Sequence, residues 1–304
     1  MKIIIDTDLG CDCDDAGALA VAHSLADNGA CEIDLITHCT SNISGCNAIC
    51  AINLFYGRSD IPVGTYQKDD ILKNKDGFFS DKIAEKFGMR YKTKAECPDA
   101  VKQIRTVFAK ADTPITLIAL GPLAVISDFL ESGADEISDL SGLSLAKNNG
   151  GDLVVMAGSF MKGFENRLEN GAEWNVKQAV SAAGNVFSKY PNLIFAVPFE
   201  AGIDVLTGKF LASCGDENPV ALAYRLFLKD KFLRSSWDQC AVHFAVTRNE
   251  EIWNVSNEGH ITIDDNGVSI FDESEKRGHF IVMPKNISDV TCQIERLMTR
   301  EDKD

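Results

Sequence analysis

The chain has too few positive charges for several classes of partner. Lys and Arg total 30 against 45 Asp and Glu, a formal net charge of −15. With no basic cluster either, a nucleic-acid surface is excluded, because phosphate binding needs a concentrated positive field. No apolar run approaches the roughly 18 residues of a membrane span. Met1-Lys2 passes at once into Ile3-Ile4-Ile5, without the layout of a secretion signal, so a cytoplasmic protein is expected. The 10 cysteines lack paired C-x-x-C spacing, which argues against structural zinc and for reduced thiols. No linker, internal repeat or triad-like Ser or Cys arrangement stands out. What remains, 304 residues at 45% hydrophobic and 25% charged, suits a globular core that needs no disulfides.

What is present is an acidic loop. The stretch Asp6-Thr7-Asp8-Leu9-Gly10-Cys11-Asp12-Cys13-Asp14-Asp15 follows directly on an Ile-rich run. Met1 to Ile5 reads as a buried strand and Ala16 to Leu25 as a small-residue helix. The acids therefore occupy the turn at the carboxyl end of a first strand, where open α/β sheets bind ligands. A helix N-terminus accounts for one or two of them. The rest repel one another unless protons or a cation intervene. A hard, oxygen-seeking divalent cation fits that donor set. Cys11 and Cys13 read as small fillers among carboxylates.

Strand and helix patterns alternate along the whole chain. Strands are expected at residues 33–38, 61–64, 115–120, 152–156 and 192–197, with helices at 47–56, 99–110, 176–187, 219–233, 239–246 and 286–300. Asp265-Asn266-Gly267 marks a hairpin between Thr262 and Ile270. Residues 65–97 read as a polar, irregular loop, with Gly77, Phe78 and Phe79 folding onto something. The fold class predicted is α/β, a single domain over residues 1–304 with an open, mostly parallel, Rossmann-like sheet flanked by helices. Asn42, the Leu120-Gly121-Pro122-Leu123 turn, Glu173-Trp174-Asn175 and Asp238 all stand at strand ends or helix starts. On one sheet edge they could surround a single pocket.

Taken in order, these segments resemble the nucleoside hydrolases, the inosine–uridine-preferring nucleoside N-ribohydrolase family. That family opens on approximately Asp-x-Asp-Pro-Gly-x-Asp-Asp-Ala. This chain has Asp6-Thr7-Asp8-Leu9-Gly10, then Asp14-Asp15-Ala16 after two extra residues. The resemblance implies a nucleoside hydrolase fold and a Ca²⁺ ion held by Asp8, Asp15, Asp238 and the carbonyl of Leu120. It implies that Asp14 and Asn175 bind ribose hydroxyls, that Glu173 or Asn166 reaches the 5′-hydroxyl, and that Asp8 is the general base with Asn42 beside the water. Asp6 would support the loop through hydrogen bonds. The activity implied is hydrolysis of a ribonucleoside's N-glycosidic bond in purine or pyrimidine salvage, by a homodimer or homotetramer. A binder that has lost turnover, or a phosphatase of the haloacid dehalogenase type, is the alternative. The latter lacks its downstream Lys and later acidic pair here.

Where many members of the family place His before the last metal-binding Asp, this chain has Trp237. Indole cannot act as a general acid near neutral pH. Trp174 and Trp237 either sandwich the base or simply pack in the core. His38 is a pocket candidate, whereas His243 reads as structural. Tyr224 and Arg234 fall where the family places pocket-lining residues, and Asp12 is an acid without an assigned purpose.

Overall fold

Successive residues of the first strand feed opposite faces of a sheet. In the computed structural model, which describes residues 1–72, 79–229 and 231–300, β1 (Lys2–Thr7) sends Ile3 and Ile5 into one core and Ile4 into another. This is the period-2 geometry of a strand covered on both sides, and it explains why the run is apolar throughout. The chain continues through α1 (Asp14–Asp27), β2 (Glu32–His38), α2 (Ile43–Phe55), β3 (Val63–Thr65), α3 (Phe79–Phe87) and α4 (Ala100–Lys110). Next come β4 (Ile115–Ala119), α5 (Ala124–Glu131), α6 (Gly142–Asn149), β5 (Gly150–Met156), α7 (Trp174–Gln178), α8 (Val180–Lys189) and β6 (Ile194–Val197). The last third holds α9 (Phe199–Gly202), β7 (Leu206–Thr207), α10 (Pro219–Leu228), β8 (Arg234–Ser235) and α11 (Trp237–Thr247). It closes with β9 (Trp253–Val255), β10 (His260–Ile263), β11 (Ser269–Asp272), β12 (His279–Pro284) and α12 (Ile287–Thr299).

The main sheet runs β3-β2-β1-β4-β5-β6-β12-β9. Every neighbour pairs in parallel except the edge strand β9, which lies antiparallel to β12. The α/β, mostly parallel architecture is thus the one predicted. Strand order reverses between β1 and β4, and a crevice opens at the carboxyl ends of such a pair. Helices α1 and α11 cover one face; α5 and α8 cover the other. The β10–β11 hairpin pairs Thr262 with Ile270, as its turn sequence predicts. No described helix is long and apolar enough to cross a membrane.

Several expectations need correction. The stretch expected to be irregular contains α3, whose apolar residues Phe79, Ile83 and Ala84 are buried on one side. Gly77 and Phe78 lie outside the described residues. The helix predicted over 176–187 is two, interrupted at Ala179 (φ −150°, ψ 58°). Helix α10 ends at Leu228, because Lys229 turns left-handed at φ 50°. Strands β9 and β12 have no counterpart in the sequence reading. β12 alternates poorly between buried and half-buried residues, so periodicity does not reveal it.

Candidate active site

Three helices start at the same crevice. Asp14 and Asp15 form the first turn of α1, Asp238 lies in the first turn of α11, and Glu173 caps α7. Each carboxylate meets the positive end of a helix dipole, which partly offsets the cost of burying it. β1 delivers Asp8 and β4 delivers Leu120, whose N–H donates to Asp6 O at 2.8 Å. The turn at Gly121 must be glycine. A Cβ there would come within 2.7 Å of Cys39 Sγ and 2.9 Å of Asp8 Cβ. Together these residues line a cavity of about 360 Å³, with Trp174, Asn175, Phe199, Arg234 and Trp237 completing its walls.

Asp14, Asp15 and Asp238 can each offer an oxygen within 4.8 Å of the others. All three carboxyls are pushed well above the usual range, first by burial and then by neighbouring acids; Asp8 acts on every one of them. The Asp238 amide donates to Asp14 Oδ2 at 3.4 Å, tying the starts of α11 and α1 together. Thr7 Oγ1 donates to Asp15 Oδ1 and holds it against the strand end. Asp6 faces inward: it is fully buried, accepts from Thr37 Oγ1 at 2.5 Å, and is raised to about 8 by burial. That bond ties the end of β1 to β2.

A divalent cation fits this site. The donors are all oxygen, they are crowded, and they are stripped of water, so ionising them together requires positive charge among them. Asp8, Asp15, Asp238 and Leu120 all line the one cavity, while the carboxylates close enough to share an ion among the described residues are those of Asp14, Asp15 and Asp238, without Asp8.

The remaining expected residues divide. Asn175 is buried at the cavity wall; its Nδ2 donates to Leu120 O at 2.8 Å and Met156 O at 3.0 Å. Glu173 also lines the cavity, yet its carboxylate accepts from three backbone N–H groups, those of Asn175, Val176 and Gly158. Burial lifts it to about 7. Trp174 is 42% exposed at the cavity wall. Trp237 stacks on Phe199 with ring centroids 5.5 Å apart, and its Nε1–H donates to Phe199 O at 2.8 Å.

Four candidates are not among the cavity-lining residues. Asn42 is the N-cap of α2, its Oδ1 accepting from Ser44 N–H at 2.8 Å. Asn166 is exposed on a short 3-10 turn. His38 is buried against the Leu9 carbonyl, with Nε2 3.1 Å from that oxygen. Tyr224 is also buried, accepting from Gln239 Nε2 at 2.7 Å behind the site. Arg234 does line the cavity, and it explains Asp12. Its Nε lies 3.0 Å from both Asp12 oxygens, and Nη2 bonds Oδ2 as well. Those partners are 222 residues apart, so no local spacing could announce the pair.

The chain matches the family model described as inosine-uridine preferring nucleoside hydrolase over residues 3–299. No curated protein sequence matches it. Among solved structures, a purine-preferring ribonucleoside hydrolase from Gardnerella vaginalis superposes with a TM-score of 0.76 at 17% identity, covering 99% of this chain and 98% of that one. A plant nucleoside hydrolase gives 0.75 at 18% identity over 98% of each chain. The inosine-uridine preferring nucleoside hydrolase of Bacillus anthracis gives 0.73 at 16%, covering 98% and 99%. At these identities the structures establish the shared fold, and the family model establishes the lineage. With its acids gathered at the switch point of that fold, the chain belongs to the inosine-uridine preferring nucleoside hydrolases, enzymes that hydrolyse the N-ribosidic bond.

Proposed function

We propose that the protein is a Ca²⁺-dependent nucleoside N-ribohydrolase that releases base and ribose in nucleoside salvage. It would work in the cytoplasm as a single-domain subunit of a homodimer or homotetramer. The observation carrying this reading is the group of buried carboxylates facing one cavity at the sheet's switch point, with a single cationic side chain among the described residues that line it. Asp8, Asp15, Asp238 and the Leu120 carbonyl would hold the cation. When bound, it would supply Lewis acidity toward water and a docking point for sugar hydroxyls.

The protein's own groups then have distinct tasks. Asp14 and the Oδ1 of Asn175 would accept from ribose hydroxyls; Asn175 is oriented for this because its Nδ2 is already committed to two carbonyls. Glu173 would meet the 5′-hydroxyl while its backbone bonds keep the start of α7 in place. Asp8 would take a proton from the attacking water. As the C1′–N bond stretches, positive charge spreads over the sugar carbon and ring oxygen, and the surrounding carboxylates favour that state over the neutral ground state.

Incubation with a panel of nucleosides, followed by a reducing-sugar assay, tests the reading. Ribose should appear, should cease on EGTA treatment and should return with added Ca²⁺. Tight nucleoside binding without ribose, or phosphate release from a phosphomonoester instead, would overturn it.

A further inference from the structure

The cavity is built to stabilise positive charge, but the reaction also produces a negative one. When the C1′–N bond breaks, its electron pair stays on the base nitrogen. Six of the fourteen lining residues are acids, and these repel a departing anion. Among the described residues that line it, Arg234 is the one cationic side chain. The Trp237 indole N–H is already bonded to the Phe199 carbonyl, so it cannot serve the base without leaving that partner.

Arg234 is held as a fixed donor would be. Asp12 engages its Nε and Nη2, and the guanidinium carbon lies 5.0 Å from the Trp237 ring centroid and 5.6 Å from that of Phe227. Two of its five N–H bonds are thereby used, and the others meet no acceptor among the described residues. A planar guanidinium clamped on one edge by a carboxylate presents its other edge in a set direction. Asp12 belongs to the two residues that lengthen the acidic loop.

We propose that Arg234, positioned by Asp12, contacts the leaving base and stabilises its developing negative charge. This assignment rests on the nucleoside hydrolase reading and deepens it. In the step, the C1′–N pair moves to the base, a water oxygen bonds to C1′, and that water's proton passes to Asp8. The base anion, hydrogen-bonded to Arg234, then takes a proton from solvent while Asp8 releases its own. One water is consumed and Arg234 remains a cation throughout.

The test compares leaving groups. Wild type, Arg234→Gln, Arg234→Lys and Asp12→Asn are each assayed on inosine, uridine and p-nitrophenyl β-D-ribofuranoside, whose phenolate departs without assistance. Arg234→Gln should lower kcat on the nucleosides by about a hundredfold, the usual effect of removing one charge-stabilising donor. Its loss on the nitrophenyl riboside should be at least tenfold smaller. Arg234→Lys and Asp12→Asn should shift the same ratio in the same direction by less, and either suffices if Arg234→Gln fails to fold. Equal losses on all substrates would overturn the Arg234 assignment while leaving the enzyme a ribohydrolase. A wild type that hydrolyses none of them would overturn both.

Discussion

Asp238 shows how a single carboxylate can oppose the fold of the metal-free protein. It is buried beside Asp14, Asp15 and Asp8, and each of these raises its proton affinity. Asp238→Asn therefore removes repulsion from the metal-free protein, and its thermal midpoint should rise by the equivalent of roughly 1 kcal/mol. The same change should weaken Ca²⁺ binding by roughly a hundredfold, since affinity follows ligand charge. Calorimetry on both forms checks both signs; a metal-free variant less stable than wild type, with Ca²⁺ affinity intact, would sink the assignment. At this scale the sequence was informative wherever chemistry is local. Asp8, Asp14 and Asp15 stand within one loop, and their crowding alone demands a counter-charge. Asn42 and Glu173 show the limit, because both side chains bond backbone N–H groups at helix starts. From sequence alone, a polar residue at a strand end looks the same whether it caps a helix or faces a ligand.

Helix packing, rather than any side chain, determines where Asp238 sits. Gly202 at the end of α9 touches the start of α11: a Cβ there would lie 2.5 Å from Trp237 Cα, a backbone atom. The Ser236 N–H also donates to Gly202 O at 3.2 Å. Gly202→Ala must therefore push the start of α11 away, carrying Trp237 and Asp238 with it. Overpacking of this kind costs about 1–3 kcal/mol. Urea unfolding should show that loss, and Ca²⁺ affinity should fall although no ligand has changed; an unaltered affinity would mean that α11 is placed by other contacts. Elements whose role follows from local pattern were legible: β1, β4 and β5 as apolar runs, and the β10–β11 hairpin from its turn. α3 was not, since its helical face is short and lies inside a polar stretch. β12 was hidden because one end pairs with β6 and the other with β9, giving no regular alternation.

Across the whole molecule, the titratable groups buried away from the cavity set a pH dependence separate from catalysis. His23, His243 and His279 are each held down to about 4, mainly by burial. His243 Nδ1 accepts from Trp253 Nε1–H at 3.1 Å and His279 Nδ1 from Ile261 N–H at 2.9 Å, bonds that protonation would abolish. His23 stacks on Tyr56 with centroids 4.6 Å apart and lies 3.0 Å from Asn53 Oδ1. The folded pKa of each lies below the unfolded value of about 6.5. Between those limits the unfolded chain takes up the proton and the folded chain does not. Their stabilisation is complete above pH 6.5 and is lost as the pH falls toward 4. Asp6, raised to about 8, and at the cavity wall Glu173, raised to about 7, act in the opposite sense, because the folded state holds their protons more tightly. The total curve is thus a difference of opposing slopes, and only a paired comparison isolates one group. His23→Gln retains a polar side chain but cannot be protonated. Urea unfolding at pH 7 and pH 5 should show wild type losing roughly 2 kcal/mol more than this variant over the interval. Parallel curves would mean that His23 is already protonated in the folded protein at pH 5, which its burial between Tyr56 and Asn53 opposes.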